Sequence, residues 1–346
     1  MEDIQIRKTG NAGRITFTRP KALNAMSYDM CIAIEDALDA WRDDPEVAII
    51  VINADGDKAF CAGGDIAELY ETGKAGNYAF GRKFWADEYR MNAKMHDYSK
   101  PVVSFMQGFT MGGGVGVGCH CSHRVVGETS QIAMPECGIG LVPDVGGSLI
   151  LANAPGSLGK YLSLTTARLG AGDAIHAGFA DHYIPQENWA DLIAKLEETG
   201  DVSLVDTAAQ PAPEGPFAGN TAEIDTLFAA DTLEDIVAAL EGADSEFAAK
   251  ALKSLSRNSP ISLGVTIEIL KRLKGSDDIR TALDLEYRFT YRAMEHGDFI
   301  EGIRAQIIDK DRNPNWQHEM HTLPHEAVDF MLADLGDNAL TFEKGE

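Results

Sequence analysis

Three clusters in this chain combine residue types and spacings that suit chemistry at a carbonyl. Lys58-Ala-Phe-Cys-Ala-Gly-Gly-Asp65 puts two glycines at the end of a loop, directly before a predicted helix. Glycine there lets the backbone come close to a ligand, and the unbonded N–H groups of a helix start favour a negative oxygen. Gly108-Phe-Thr-Met-Gly112-Gly113-Gly114-Val-Gly116-Val-Gly118 follows an apolar segment at 102–105. It is neither a dinucleotide fingerprint nor a P-loop, because the required Gly spacing and the Gly-Lys-Ser/Thr ending are absent. Each glycine inside a helix costs about 1 kcal/mol relative to alanine, a cost that a very close neighbour would explain. The third cluster, Met134-Pro-Glu136 followed by Pro143-Asp144-Val-Gly146-Gly147, sets two carboxylates eight residues apart in a Gly/Pro-rich apolar loop. A carboxyl among apolar neighbours has a raised pKa, which suits acid–base or nucleophilic work.

Each cluster alone has a plain structural alternative. The first is also a left-handed turn before a helix, the second a tight helix–helix contact, and Asp144 is also a candidate cap for the helix starting near Gly146. Taken together they are more specific. Two Gly-rich helix starts, each with a free backbone N–H, are the parts of an oxyanion hole, and a loop carboxylate then acts on the same carbonyl.

The elements that must hold these clusters are legible from periodicity. Residues 4–7 and 14–18 alternate around Asn11-Ala-Gly13 and predict a hairpin. Ser27 predicts an N-cap for an amphipathic helix over 30–41. The continuous apolar run 48–52 predicts a strand buried on both faces. Helices are predicted over 65–73 and 77–98, a strand over 101–105, a helix opening at 112–114, short strands at 123–127 and 131–134, and a helix from 146. This strand-strand-helix rhythm predicts an α/β fold built as a spiral of stacked ββα turns.

The texture changes near residue 200. The stretch 208–216 is Pro-rich and poor in large apolar residues, which predicts a connecting segment. Helical spacing then recurs over 231–240, 245–257, 261–274, 277–296 and 299–310. Pro260 suits an early helical position, and Gly275 and Gly297 suit positions just past helix ends. The predicted organisation is a ββα core with the active site over 1–200, a Pro-rich connector over 201–220 and a C-terminal helical region over 221–346.

Composition narrows the function classes. The 346 residues carry 30 basic and 54 acidic side chains, a formal net charge of -24. Nucleic acid is therefore excluded as an expected partner, since phosphate binding needs a basic surface, and so is an anionic membrane surface. Any polyanionic ligand must rely on a local basic cluster, for which Lys21, Lys58 and Arg312 are candidates. Five cysteines make an odd count that predicts reduced thiols rather than a disulfide framework. Cys119-His120-Cys121-Ser-His123 is too tightly spaced for a zinc site, so no metal is expected. The N-terminus has no basic region followed by an apolar one, and no run of about 18 apolar residues exists, so a cytoplasmic location is expected.

The set Cys61-Ala-Gly-Gly-Asp65, Met111-Gly-Gly-Gly114 and Met134-Pro-Glu136 with Gly146-Gly147 resembles the crotonase (enoyl-CoA hydratase/isomerase) superfamily. The resemblance runs over about 14–184 and reappears at Phe299-Ile-Glu-Gly302-Ile-Arg-Ala305. It implies a crotonase-like core, with Gly64 and Gly113 as the oxyanion N–H donors. It also shows a departure: the hydratase pattern has a glutamate where this chain has Gly116, and a glycine where it has Asp144. The Glu136/Asp144 pair, Pro143-Asp144-Val-Gly-Gly147, Asp87-Glu88-Tyr89-Arg-Met-Asn92 and the long C-terminal extension resemble the 3-hydroxyisobutyryl-CoA hydrolase branch. That branch implies hydrolysis of a 3-hydroxyacyl-CoA thioester in valine breakdown. Glu136 would be nucleophile or general base, Asp144 would hold the 3-hydroxyl or the water, and Glu88 would contact substrate. It implies no separate cofactor, since coenzyme A is part of the substrate, and a homo-oligomer, since relatives form trimers or pairs of trimers.

Overall fold

The computed structural model describes residues 2–343. They divide into two compact units, each made of several chain segments. The first comprises 2–65, 90–133 and 168–218, and the second comprises 66–89, 134–167 and 219–343.

The strands among the described residues all lie in the first unit: β1 (Ile4–Thr9), β2 (Ala12–Phe17), β3 (Ile49–Ala54), β4 (Ala59–Cys61), β5 (Val102–Met106), β6 (Phe109–Met111), β7 (His123–Val126), β8 (Gln131–Ala133) and β9 (His182–Tyr183). β1 and β2 pair antiparallel, as the hairpin pattern predicts. The turn lies at Gly10-Asn11 rather than Asn11–Gly13, because Gly10 supplies the positive φ that a tight reversal needs. The large sheet has the order β1-β2-β3-β5-β7-β9, and a second sheet has the order β4-β6-β8. From β2 onward the neighbours in both sheets are parallel. Successive pairs β3/β4, β5/β6 and β7/β8 each give one strand to each sheet, so the chain winds as the expected spiral of ββα turns.

β3 is flanked by parallel partners on both edges, and Ile49, Ile50, Val51 and Ile52 are fully buried. This is why that run is apolar at every position rather than alternating. One face of the large sheet is sealed by the helix Trp189–Thr199. Trp189 lies 5.4 Å from Phe105, ring to ring, and its indole N–H donates to the Ile184 carbonyl at 2.8 Å. The segment predicted as a connector over 201–220 begins with a short helix, Ser203–Ala208.

The second unit is helical. Leu164, Phe228, Leu233, Ile236, Val237, Leu240, Leu255, Leu263 and Ile267 form its core. Thr232, Ser245, Ser259 and Asp278 each accept a hydrogen bond from a first-turn N–H of the helix that follows. Such a cap contributes about 1 kcal/mol. Pro260 occupies the first turn of Pro260–Leu273, where no backbone donor is lost. Gly275 has φ +77°, as a residue past a helix end should. Gly297 is instead an extended C-cap, with φ -108° and ψ -168°. The last predicted helix, 299–310, is α-helical only over Phe299–Ile303. It widens into a π turn at Arg304–Ile308, where the Arg304 side chain bonds Glu301, Asp309 and Asp311.

Candidate active site

The two glycine turns belong to the first unit. β4 and β6 are parallel neighbours with Cys61 opposite Thr110, so the chain leaves both at the same end of the small sheet. Gly64 follows β4 by three residues. Its segment is held by Met26, whose N–H donates to Gly63 O at 2.9 Å and whose carbonyl accepts from Asp65 N–H at 2.8 Å. Arg19 adds an ion pair to Asp65 at 3.0 Å. Gly113 opens the helix Gly113–Gly118 after Gly112, which has φ +48°. Among the described residues, no hydrogen-bond acceptor faces the N–H of Gly64 or that of Gly113.

Packing explains part of the glycine run. A Cβ on Gly114 would lie 2.2 Å from the Cys61 carbonyl oxygen, and one on Gly118 would lie 2.7 Å from the Met106 sulfur. At Gly64, in contrast, an added Cβ meets nothing within 4 Å. The tight-packing alternative for the second cluster therefore accounts for Gly114 and Gly118, and the turn alternative for the first is met at Gly63, with φ +115°, rather than at Gly64.

The carboxylates belong to the second unit. Glu136 opens a 3-10 turn, Glu136–Ile139. The turn is pinned from outside: Ser259 N–H donates to Cys137 O at 3.0 Å, and Gly302 sits so close that a Cβ there would lie 2.2 Å from Ile139 O. Asp144 lies in the loop before the helix Gly147–Asn153. Tyr89 donates its hydroxyl to Asp144 Oδ2 at 2.7 Å. Glu88 is its neighbour on the helix Ala79–His96. Glu88, Glu136 and Asp144 are each at most 5% exposed.

Asp144 does not cap the helix through its side chain. That place is taken by Glu286, a residue the motif reading passes over. Glu286 accepts from Gly146 N–H at 2.9 Å, from Ser148 N–H at 3.3 Å and from the Ser148 hydroxyl. The signal was present in the sequence. Glu286 sits three and four residues from Leu283, Ala282, Phe289 and Thr290, all on the buried stripe of the helix Ile279–His296. A glutamate inside such a stripe needs partners.

Glu88, Glu136, Asp144 and Glu286 are thus all buried in this unit, and among the described residues no lysine, arginine or histidine pairs with any of these four. Burial pushes Glu136 and Glu88 well above the usual carboxylate range, and the charge of Asp144 adds to both. Burial raises Asp144 to about 7, against the pull of the Tyr89 hydroxyl. Burial and Asp144 raise Glu286 to about 8, against its three donors. Carboxyls buried together disfavour one another's ionisation, so the cluster keeps protons to higher pH than exposed carboxyls do. One oxygen of Glu136, Oε2, has no hydrogen-bond partner although it is buried. Such an orphan acceptor is costly in a resting fold and suits a group that is to meet a substrate or a water.

The other candidates fall as follows. Lys21 and Lys58 are exposed in the first unit, and Arg312 is exposed in the second. All five cysteines are buried thiols outside any disulfide. Cys121 bonds the Val117 carbonyl at 3.1 Å, and burial pushes its thiol up to about 12. No helix among the described residues is long and apolar enough to cross a membrane.

Comparison with known proteins supplies the remaining facts. A family model described as enoyl-CoA hydratase/isomerase matches residues 12–332. A Xenopus tropicalis protein named 3-hydroxyisobutyryl-CoA hydrolase, mitochondrial, is 40% identical over 97% of this chain and 90% of its own. The Homo sapiens protein of the same name is 36% identical over 99% and 91%. Among solved structures, one described as an enoyl-CoA hydratase from Rhodobacter sphaeroides 2.4.1 matches with TM-score 0.95 and 58% identity, covering 98% of this chain and 99% of that one. A carnitinyl-CoA dehydratase from Mycobacterium thermoresistibile matches with TM-score 0.94 and 38% identity over the whole of both chains.

Proposed function

Because the chain belongs to the enoyl-CoA hydratase/isomerase family, with the crotonase-like fold of its relatives, we propose that it hydrolyses a 3-hydroxyacyl-CoA thioester, with 3-hydroxyisobutyryl-CoA the leading substrate. Water and thioester give the 3-hydroxy acid and free coenzyme A. The pathway that fits is valine breakdown, and a cytoplasmic site of action belongs to the same proposal, whereas the curated relatives carry the word mitochondrial in their names.

The observation that carries this reading is the choice of carboxylates. Hydration of an enoyl ester needs acid–base groups for addition across a double bond, and in the hydratase pattern one of them stands where this chain has Gly116. Gly116 is buried in a helix and has no side chain to offer. The pair retained is Glu136 and Asp144, and the buried, unpartnered Oε2 of Glu136 supports giving it the central role. Full-length similarity to proteins named as hydrolases points the same way.

In the proposed reaction the N–H groups of Gly64 and Gly113 donate to the thioester oxygen, where negative charge develops as the carbonyl becomes tetrahedral. Glu136 acts by one of two routes. As a nucleophile it attacks the carbonyl, expels the coenzyme A thiolate and leaves an anhydride that water then opens. As a general base it takes a proton from water as the water attacks. Asp144 and Glu88 hold the 3-hydroxyl end or the water. Both routes need Glu136 ionised, so turnover should fall on the acid side of a raised pKa.

A second reading is hydration, favoured by the 58% identical structure described as a hydratase. One experiment separates the two. The protein is mixed with 3-hydroxyisobutyryl-CoA, isobutyryl-CoA and crotonyl-CoA while free thiol and enoyl absorbance are followed. Thiol release that depends on the 3-hydroxyl is the expected result. Loss of enoyl absorbance from crotonyl-CoA with no thiol release from any ester would overturn it.

A further inference from the structure

Val145 is a β-branched residue with φ +53°, and Gly146 follows it with φ +78°. The left-handed region is strained for a β-branched side chain, at a cost of order 1–3 kcal/mol, and such a residue persists only where its surroundings over-determine it. The two residues lie between Asp144 and the helix Gly147–Asn153, so they decide where the Asp144 carboxyl points. The loop has some local support, since Asp144 O accepts from Gly147 N–H at 2.7 Å. A further hold comes from far along the chain. The carboxylate of Glu286, fully buried, takes Gly146 N–H on one oxygen and Ser148 N–H and hydroxyl on the other.

We propose that Glu286 is a positioning residue for Asp144: its carboxylate clamps the amides on either side of Gly147 and so holds the strained Val145-Gly146 turn that aims Asp144. The proposal rests on the hydrolase reading for what Asp144 does once aimed. Three features favour this role over simple helix capping. The helix is one of the shortest in the unit, and a buried charge is an expensive cap for it. Two ordinary serine caps serve longer helices nearby, Glu246–Leu255 and Pro260–Leu273. Finally, the charge of Glu286 raises Glu136, Glu88 and Tyr89, and the charge of Asp144 raises Glu286, so the clamp sits within the electrostatic reach of the cluster.

The test is Glu286→Gln, alone and combined with Asp144→Asn, with kcat and KM for 3-hydroxyisobutyryl-CoA measured across pH. Glutamine keeps the size but offers one acceptor oxygen and turns an N–H₂ toward an amide donor. The single variant should lose at least tenfold in kcat with KM within threefold. Above about pH 8, where Glu286 is ionised, the variant removes a negative neighbour of Glu136, so the pH profile should shift to lower pH there. In the Asp144→Asn background the same change should cost less than twofold. Wild-type turnover and pH profile, or an equal loss in both backgrounds, would overturn the proposal.

If Glu286→Gln does not fold, Ser148→Ala removes one donor and leaves the backbone clamp. It should then lower kcat at least threefold without changing KM, and unchanged kcat would overturn the idea. Should the wild-type protein release no thiol from any ester, the hydrolase reading fails by itself. Amide exchange over 145–148 then decides the clamp: faster exchange in Glu286→Gln at unchanged Tm supports it, and unchanged exchange overturns it.

Discussion

Glu35 and Glu136 are both buried glutamates, one in each unit, and they differ in what faces them. Arg90 meets Glu35 with two parallel bonds at 2.8 and 2.9 Å, and Lys94 adds a third at 3.0 Å. Burial alone would raise Glu35, yet the two cations hold it below the usual carboxylate range. It stays ionised and ties the helix Tyr28–Trp41 to the end of Ala79–His96. Glu136 has three carboxyl neighbours and no cation among the described residues, and its pKa goes the other way. Burial is common to both, so the counter-charge decides whether a buried carboxylate becomes a structural brace or a proton-exchanging group. The glycine turns offer a third arrangement. Backbone N–H donors bring partial positive charge without a side chain, and the register of β4 against β6 sets them.

The contrast can be broken on either side, and the largest effect belongs to Glu136. Glu136→Gln keeps the shape and removes the ionisable group. It should lower kcat for thioester hydrolysis by roughly 10²–10⁴-fold while binding of the coenzyme A ester, followed by titration, stays within a few-fold. Normal turnover would remove Glu136 from the chemistry. On the structural side, Arg90→Met takes one partner from Glu35 and strands a buried charge. Denaturant unfolding should show a loss of about 3–5 kcal/mol, with turnover per folded molecule unchanged. A stability change below about 1 kcal/mol, the range of exposed pairs, would show that Lys94 alone suffices.

The smallest effect sharpens the comparison within the cluster. Tyr89→Phe removes the hydrogen bond that favours ionised Asp144, whose pKa is already about 7. The pKa should rise further, moving the acid limb of kcat upward by about one pH unit, or about 1.4 kcal/mol. The deficit should be largest near pH 7 and should close by about two units above it. A uniform loss at all pH values would mean that Tyr89 serves packing alone, through its edge contact with Tyr287.

Much of this was legible in the residues themselves. Ser27 and Pro260 act locally, and a cap or a fixed φ needs only its immediate neighbours. The run at 48–52 showed burial on both faces because no polar residue interrupts it. Asp144 misled in one respect: a short acid just before a helix matches a cap. The structure assigns the cap to Glu286, 140 residues away, and turns the Asp144 carboxyl to Tyr89. Gly297 matched the left-handed end of a helix, yet the chain continues extended there.

The sequence by itself determined the winding of the core and the places of the two glycine turns, and it set Glu136 and Asp144 apart as carboxylates in an apolar loop, because each depends on local periodicity or on residues close in the chain. Only the tertiary structure decided which carboxyls share one buried cluster, which of them lack a counter-charge, and what holds Val145 in a strained turn. Those properties depend on distances in space between segments far apart in the chain, and desolvation and Coulomb interaction follow those distances rather than the order of residues.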